Sequence, residues 1–231
     1  MEKGRQQDIL EILYGQGRAT VSELAHTLYV SEMTVRRDLG ELERGGYIRR
    51  YRGGAVLKAD TREMPLMARV RVDEGEKKQL CAACERFLGD NLTVYLDSSS
   101  TCLYLIPMLA RYKGVTVVTN SVQALLSASA LHLPCLLIGG EYYAQDMCLV
   151  GPLGERAAGE LNVDVAFMST AALSEDGVIS DFDLRQTAMR LAVMKNARAN
   201  VFLFEKSKLG KKLTYTLCHK DNATAVIVSP T

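Results

Sequence analysis

VSELAHTLYVSEMTVRRDLGELERGGYIRRY, residues Val21 to Tyr51, is the stretch whose reading decides the fold of the N-terminal part of this chain. Val21, Leu24, Ala25 and Leu28 recur at helical spacing with Ser22 and Glu23 at the start, which predicts a short helix with one apolar face that stops near Tyr29. Ser31 is then placed to cap a second helix, because its hydroxyl can accept from the free backbone N–H groups of the first turn. Val35, Leu39 and Leu42 form the apolar stripe of that helix and leave Glu32, Met33, Thr34, Arg36 and Arg37 on or near its exposed N-terminal half. Two helices joined by so short a turn make a helix-turn-helix. Hydroxyls and guanidinium groups at the start of the second helix are what a reader of the DNA major groove presents to base edges and phosphates.

Adjacent arginines also suit the solvated face of an ordinary helical hairpin, so the residues that follow matter. Gly45 and Gly46 predict a helix end of the kind that tolerates a left-handed residue, and IRRYRGGAV, Ile48 to Val56, predicts a small β-wing turning at Gly53 and Gly54. Arg49, Arg50 and Arg52 on that wing extend the positive surface beside the second helix, where phosphates or a minor groove are met.

From Val21 to Ala55 the sequence resembles the signature of the deoxyribose-operon-repressor (DeoR) family, whose core falls on Val30, Ser31, Thr34, Val35, Arg36, Arg37, Asp38 and Leu39. Tyr29 stands where that family has a glycine in the turn, and a positive φ at this position would strain a tyrosine. The resemblance implies a winged helix-turn-helix at residues 1–57 that binds a double-stranded DNA operator.

The chain has 231 residues, 48% apolar and 24% charged, which is ample for two domains with real cores and ordinary for a soluble protein. No apolar run approaches the length of about 18 residues that a membrane-spanning helix needs, and the polar start predicts no signal peptide, so a cytoplasmic location is expected. Net charge is only +1, but residues 31–58 carry seven basic side chains against four acidic ones, so the positive charge is local. Cys81 and Cys84 form a C-x-x-C in a predicted helix, but without a second pair to complete a tetrahedral site, so the six cysteines are read as small buried hydrophobes, and neither metal nor cofactor is expected.

Along the chain, Gln6 to Tyr14 predicts a first helix, Arg18 to Val21 a short strand pairing with the wing, and residues 58–73 a linker punctuated by Asp60, Thr61 and Pro65. Residues 74–231 then alternate helical segments with apolar strands, the pattern of an α/β, Rossmann-like domain with a mostly parallel sheet. Strands are predicted at 92–96, 115–119, 136–138, 163–168, 201–204 and 225–228, and helices at 77–88, from 101 through 111, from 121 to about 131, and at about 184–197.

Three predicted strands end in small, polar or glycine-rich turns: Asp97-Ser98-Ser99-Ser100-Thr101, Asn120-Ser121 and Gly139-Gly140. In open α/β sheets ligands bind beyond the carboxyl ends of the strands, and a helix starting at Thr101 would aim free N–H groups and its positive end there. With Lys208 as a cation from another turn, an anion is the expected guest; ordinary turns and helix caps would use the same residue types.

Residues from about 76 to 230 resemble the DeoR-family sensor domain at Lys77-Lys78, Asp97-Ser98, Thr101, Thr119-Asn120-Ser121, Gly139-Gly140, Gly151, Asp164, Phe167 and Ser207-Lys208. The family's sensor is related to ribose-phosphate isomerase and coenzyme A transferase folds, and the resemblance implies a phosphorylated sugar as effector and contacts between copies of the chain. This sequence departs from the family at Ser99 and Ser100 for glycine and threonine, Gln186 for glutamate, Arg190 for lysine, and Glu205 for aspartate. The leading reading is a transcriptional regulator, a repressor, acting as a homo-oligomer. An isomerase-like enzyme carrying a DNA-binding domain and a regulator without effector are the alternatives, and no catalytic residue is assigned.

Overall fold

The computed structural model describes residues 2–16, 18–45, 47–57 and 66–230, and divides into two compact units, Met1–Val72 and Asp73–Thr231. Gly46, Lys58, Asp60, Thr61 and Pro65, named above, lie outside the described residues.

The first unit runs α1 (Glu2–Gln16), β1 (Arg18–Thr20), α2 (Val21–Thr27), α3 (Glu32–Arg44), β2 (Ile48–Tyr51), β3 (Gly54–Leu57) and α4 (Leu66–Arg71). β1, β3 and β2 form one antiparallel sheet in that order, so the short strand ahead of α2 does pair with the wing. The wing turns at Arg52-Gly53, with Gly53 at φ 96°, while Gly54 is already the first residue of β3. Part of the stretch read as linker is a helix: α4 lies against α1, where Gln7 donates to the Met67 carbonyl at 2.6 Å, and Leu66 and Val72 are buried.

Helix ends in this unit follow the side chains. Thr20 caps α2 through a reciprocal box with Glu23, and the Ser31 hydroxyl accepts from the Thr34 amide at 3.2 Å to start α3. Between them the Tyr29 amide bonds the His26 carbonyl and the Val30 amide reaches back to Ala25, a Schellman closure with Tyr29 as its left-handed residue at φ 54°. A non-glycine residue there costs on the order of 1–2 kcal/mol. At the far end of α3 the expectation of a left-handed glycine fails for Gly45, whose φ is −74°. Glycine makes room there: a Cβ would lie 2.4 Å from the Tyr47 ring as it stands, so a larger residue would have to displace that ring.

Val35, Leu39 and Leu42 join Ile9, Leu13, Leu24, Ile48 and Ala55 in the core of this unit. Helical spacing puts Asp38 on the same buried stripe, and a carboxylate there needs a cation. Arg5 of α1 supplies it with two bonds, Nε to Oδ2 at 2.6 Å and Nη2 to Oδ1 at 3.1 Å.

The second unit runs α5 (Glu74–Ala82), β4 (Thr93–Leu96), α6 (Ile106–Leu109), β5 (Thr116–Thr119), α7 (Val122–Ala130) and β6 (Cys135–Leu137). It continues through the hairpin β7 (Glu141–Tyr143) and β8 (Cys148–Val150), α8 (Pro152–Gly159) and β9 (Val163–Met168), then β10 (Ala172–Leu173) and β11 (Val178–Asp181). α9 (Leu184–Met194), β12 (Ala197–Phe204), β13 (Tyr215–His219) and β14 (Ala225–Val228) complete it. Six parallel strands form the main sheet in the order β14-β12-β9-β4-β5-β6; β10, β11 and β13 form a separate antiparallel sheet that the sequence reading did not anticipate.

Alternating residues feed the two faces of the main sheet: Val94, Leu96, Phe167, Val201 and Leu203 on one, and Tyr95, Ala166, Met168, Phe202 and Phe204 on the other. Both faces are covered, which is why these strands read as unbroken apolar runs. Cys81, Cys84 and Cys102 pack on the first face, and burial pushes the Cys84 thiol up to about 12. Among the described residues no helix is long and apolar enough to cross a membrane, and no group of three or more His, Cys, Asp or Glu could hold a metal ion.

The helix expected from Thr101 through Arg111 is broken into a 3-10 turn, Cys102–Leu105, and the four-residue α6. Pro107 is the cause, since it has no N–H to donate and its ring crowds the carbonyl four residues back.

Replacing Asp38 with alanine removes both bonds that Arg5 makes to this buried carboxylate and should destabilise the first unit by about 1–3 kcal/mol. Urea unfolding followed by circular dichroism checks this, and an unchanged midpoint would show that the pair contributes nothing.

Candidate nucleic-acid interface and effector site

The buried stripe of α3 fixes which side chains face outward. Glu32, Met33, Arg36 and Arg37 are exposed on its N-terminal half, Met33 at 80% of its free surface. Ser31 and Thr34 sit at the helix start with their hydroxyl oxygens 2.9 Å apart. Arg36 is held by Glu32 one turn earlier, Nη2 to Oε2 at 2.9 Å, which extends it along the helix surface.

On the wing, pleating sends Arg49 and Arg50 to opposite faces of β2. Arg50 lies on the α3 side: its backbone N–H donates to Glu43 at 2.9 Å and its guanidinium lies 4.0 Å from the same carboxylate. Arg49, at the other face, and Arg52, at the turn, are both exposed. Asp38, named above only as part of the family core, is a buried structural residue, as its spacing with Val35 and Leu42 indicates, and Tyr29, not included in the expected exposed face, is 94% exposed.

In the second unit the carboxyl ends of the parallel strands lie along one edge of the sheet. Chain order runs outward from β4 through β5 to β6 on one side and from β9 through β12 to β14 on the other, so the order reverses between β4 and β9. Ligand crevices of open α/β sheets form at such a reversal. Here the Asp97 carboxylate bridges it, accepting from the Ser169 amide at the end of β9 at 3.0 Å and from the Ser99 amide of its own turn at 3.0 Å.

Arg190 of α9 completes this bridge. Its Nε donates to Asp97 Oδ2 at 2.9 Å, its Nη1 to Asp181 Oδ2 at the end of β11 at 2.8 Å, and its Nη2 to Gln186 Oε1 at 3.3 Å. Burial alone would lower the guanidinium's pKa, but the two carboxylates outweigh burial and raise it, so Arg190 stays charged. Gln186 in turn accepts from the Ser98 hydroxyl at 3.0 Å and donates to Asp146.

A second branch joins Thr101 to Lys208. The Thr101 hydroxyl donates to Glu205, whose other oxygen lies 2.5 Å from Lys208 Nζ, and that ammonium donates to Ser169 Oγ at 2.8 Å. Burial pushes the Glu205 carboxyl up, yet the Lys208 charge and bond and the Thr101 hydroxyl win and hold it at about 2. Lys208, expected as a cation free for a ligand, is therefore already paired.

Ser99, Asn120 and Ser121 have internal partners of their own. Ser99 Oγ accepts from the Cys102 amide at 3.3 Å, and Ser100 is buried in the same turn. Asn120 accepts from the Tyr95 hydroxyl and donates to the Leu149 carbonyl, both at 3.0 Å, while Ser121 caps α7 through the Ala124 amide at 3.2 Å. Gly139 and Gly140 are exposed; a Cβ on Gly140 would come within 2.5 Å of the Val150 carbonyl, one on Gly139 would meet nothing within 4 Å, and one on Gly154 would lie 2.4 Å from the Gly139 carbonyl. Asp97, Ser98, Thr101 and Lys208 are thus brought into one network, and Asn120-Ser121 and Gly139-Gly140 are tied to the neighbouring hairpin and α8. Ser169, Asp146 and Asp181 are members of the network that the sequence reading did not assign to the site.

Family comparison covers both units. The DeoR-like helix-turn-helix domain matches residues 5–61 and the DeoR C-terminal sensor domain matches residues 73–230. The chain belongs to the DeoR family. Among its relatives, the HTH-type transcriptional regulator IolR of Bacillus subtilis is 27% identical over 230 residues, 99% of this chain and 92% of its own. The glycerol-3-phosphate regulon repressor of Escherichia coli is 25% identical over 211 residues, 90% of this chain and 82% of its own. Ribose 5-phosphate isomerase A of Methanocaldococcus jannaschii matches 59% of this chain and 55% of its own at 20% identity and a TM-score of 0.43, a likeness too partial to bear on chemistry. This DeoR-family chain is accordingly a DNA-binding transcriptional regulator with a C-terminal sensor domain.

The Glu205 pair gives a pH signature. With its carboxyl held at about 2 against an ordinary 4.5, its stabilisation is fully present above pH 4.5 and lost as pH falls toward 2. Glu205→Gln should therefore destabilise the sensor unit by about 3 kcal/mol at neutral pH and by close to nothing at pH 2. Chemical denaturation across that range measures the gap, and a gap independent of pH would contradict the assignment.

Proposed function

We propose that this regulator is a repressor that reads its operator with the exposed start of α3, and that a phosphorylated sugar or related anionic metabolite releases it by engaging the carboxyl edge of the sensor sheet. The observation that carries the first part is the outward face of Ser31, Glu32, Met33, Thr34, Arg36 and Arg37, flanked by Arg49, Arg50 and Arg52. Arg36 and Arg37 take the role of base readout, and the wing arginines meet phosphates on either side. No residue is given a catalytic role.

For the sensor, an incoming phosphate offers Lys208 and Arg190 an alternative to Glu205 and Asp97. Its oxygens also suit the hydroxyls of Ser98, Ser99, Ser100 and Thr101 and the amides of the same turn, with Asn120, Ser121, Gly139 and Gly140 lining the edge beyond. Exchange of partners in a buried network is a two-state event. An effector that favours one arrangement weakens DNA binding by the factor by which DNA weakens effector binding. Leu126 on α7, Leu131 just past its end and Leu136 on the edge strand β6, all exposed, support a homo-oligomer, which would place two α3 helices on half-sites a whole number of helical turns apart. A protein with this role works in the cytoplasm.

Arg37→Ala should lower affinity for an operator duplex selected from a randomised pool by about 1–3 kcal/mol while barely changing affinity for an unselected duplex. Arg52→Ala should weaken both alike and reduce the salt slope by about 1. Wild-type affinity in both variants would remove the interface from this face. A thermal-shift panel of sugar phosphates tests the sensor. A stabilising compound that Lys208→Ala no longer responds to, with operator binding intact, supports the reading. Turnover of a compound would favour an enzyme, and no response to any would favour a regulator without effector.

A further inference from the structure

Tyr29 holds the left-handed position of the Schellman turn between α2 and α3, at φ 54°, with 94% of its surface exposed. Glycine would close this turn without strain, and the tyrosine ring adds nothing to the core it stands beside. A bulky side chain kept in a strained, solvent-facing position signals a use outside the domain. The neighbours say which. Ser31 and the exposed Met33 lie two and four residues on, at the start of the helix proposed above to enter the major groove, and in that docking geometry the preceding turn stands over the groove's edge, where the phosphates are.

We infer that Tyr29 is a further DNA-contacting residue: its phenol hydroxyl donates to a phosphodiester oxygen beside the half-site, and its ring packs on the adjoining deoxyribose. The contact rests on α3 being the recognition helix. It anchors the turn and so sets how deeply α3, with Met33 and Arg37, sits in the groove. Because the donor is neutral, the bond strengthens binding without releasing a counterion, which separates it from the arginine contacts.

Fluorescence anisotropy on two probes, a duplex selected by the wild-type protein from a randomised pool and an unselected duplex, tests this with Tyr29→Phe and Tyr29→Gly. Tyr29→Phe should lose about tenfold in affinity on both duplexes. Its salt dependence should stay that of the wild type. Tyr29→Gly should bind at least as weakly although its first unit melts about 4 °C higher, as relief of strain requires. Wild-type affinity in Tyr29→Phe overturns the hydroxyl contact, and wild-type affinity in both variants overturns the site, even if Arg37→Ala still loses specificity. If Arg37→Ala also binds normally, the recognition helix itself is misassigned and this inference falls with it.

Discussion

Asp97 is the point through which the sensor unit is tied together. A carboxylate at the reversal of strand order, buried and bonded to the end of β9, would be prohibitively costly without a cation, and Arg190 supplies one that is itself shared with Asp181. One guanidinium therefore fixes α9 against the ends of β4 and β11. Gln186 and Ser98 extend the same restraint to Asp146, and Ser169 passes it to Lys208, Glu205 and Thr101. In a buried network of this kind each polar group depends on its partners, so removing one member leaves another unsatisfied.

The DNA-binding unit repeats the logic on a smaller scale. Asp38 on the inner stripe of α3 is paired with Arg5 of α1, which orients the helix while its other face stays exposed to solvent. The turn before α3 is closed by backbone bonds, and Ser31 supplies the cap, so the start of the helix is rigid where base edges would be met. In both units a charge pair ties a helix to its neighbours on top of the hydrophobic core.

Features set by near neighbours could be read from the sequence. α3, its Ser31 cap and the strands at 163–168 and 225–228 are fixed by periodicity and flanking turn residues, so local spacing is enough to place them. The Asp97–Arg190 bond spans 93 residues and Thr101–Glu205 spans 104, and no local pattern announces such partners. The residues expected as effector contacts lie at or just beyond strand ends, but Ser98, Thr101 and Lys208 bond Gln186, Glu205 and Ser169, partners from distant parts of the chain. Pro107 was visible in the sequence and its break of the helix was overlooked. α4 was hidden inside a stretch whose turn residues suggested linker, and Gly45 serves the Tyr47 ring, a contact that conformational preference does not reveal.

The central claim is that an anion changes this regulator by re-partnering the buried network at the sheet's carboxyl edge. Hydrogen–deuterium exchange of the full protein, with and without a sugar phosphate that raises its melting temperature, tests it most directly. The account predicts altered exchange in residues 97–101, in α9 and in residues 205–208, with a further change in α3. Protection confined to other segments, with those three unchanged, would contradict it.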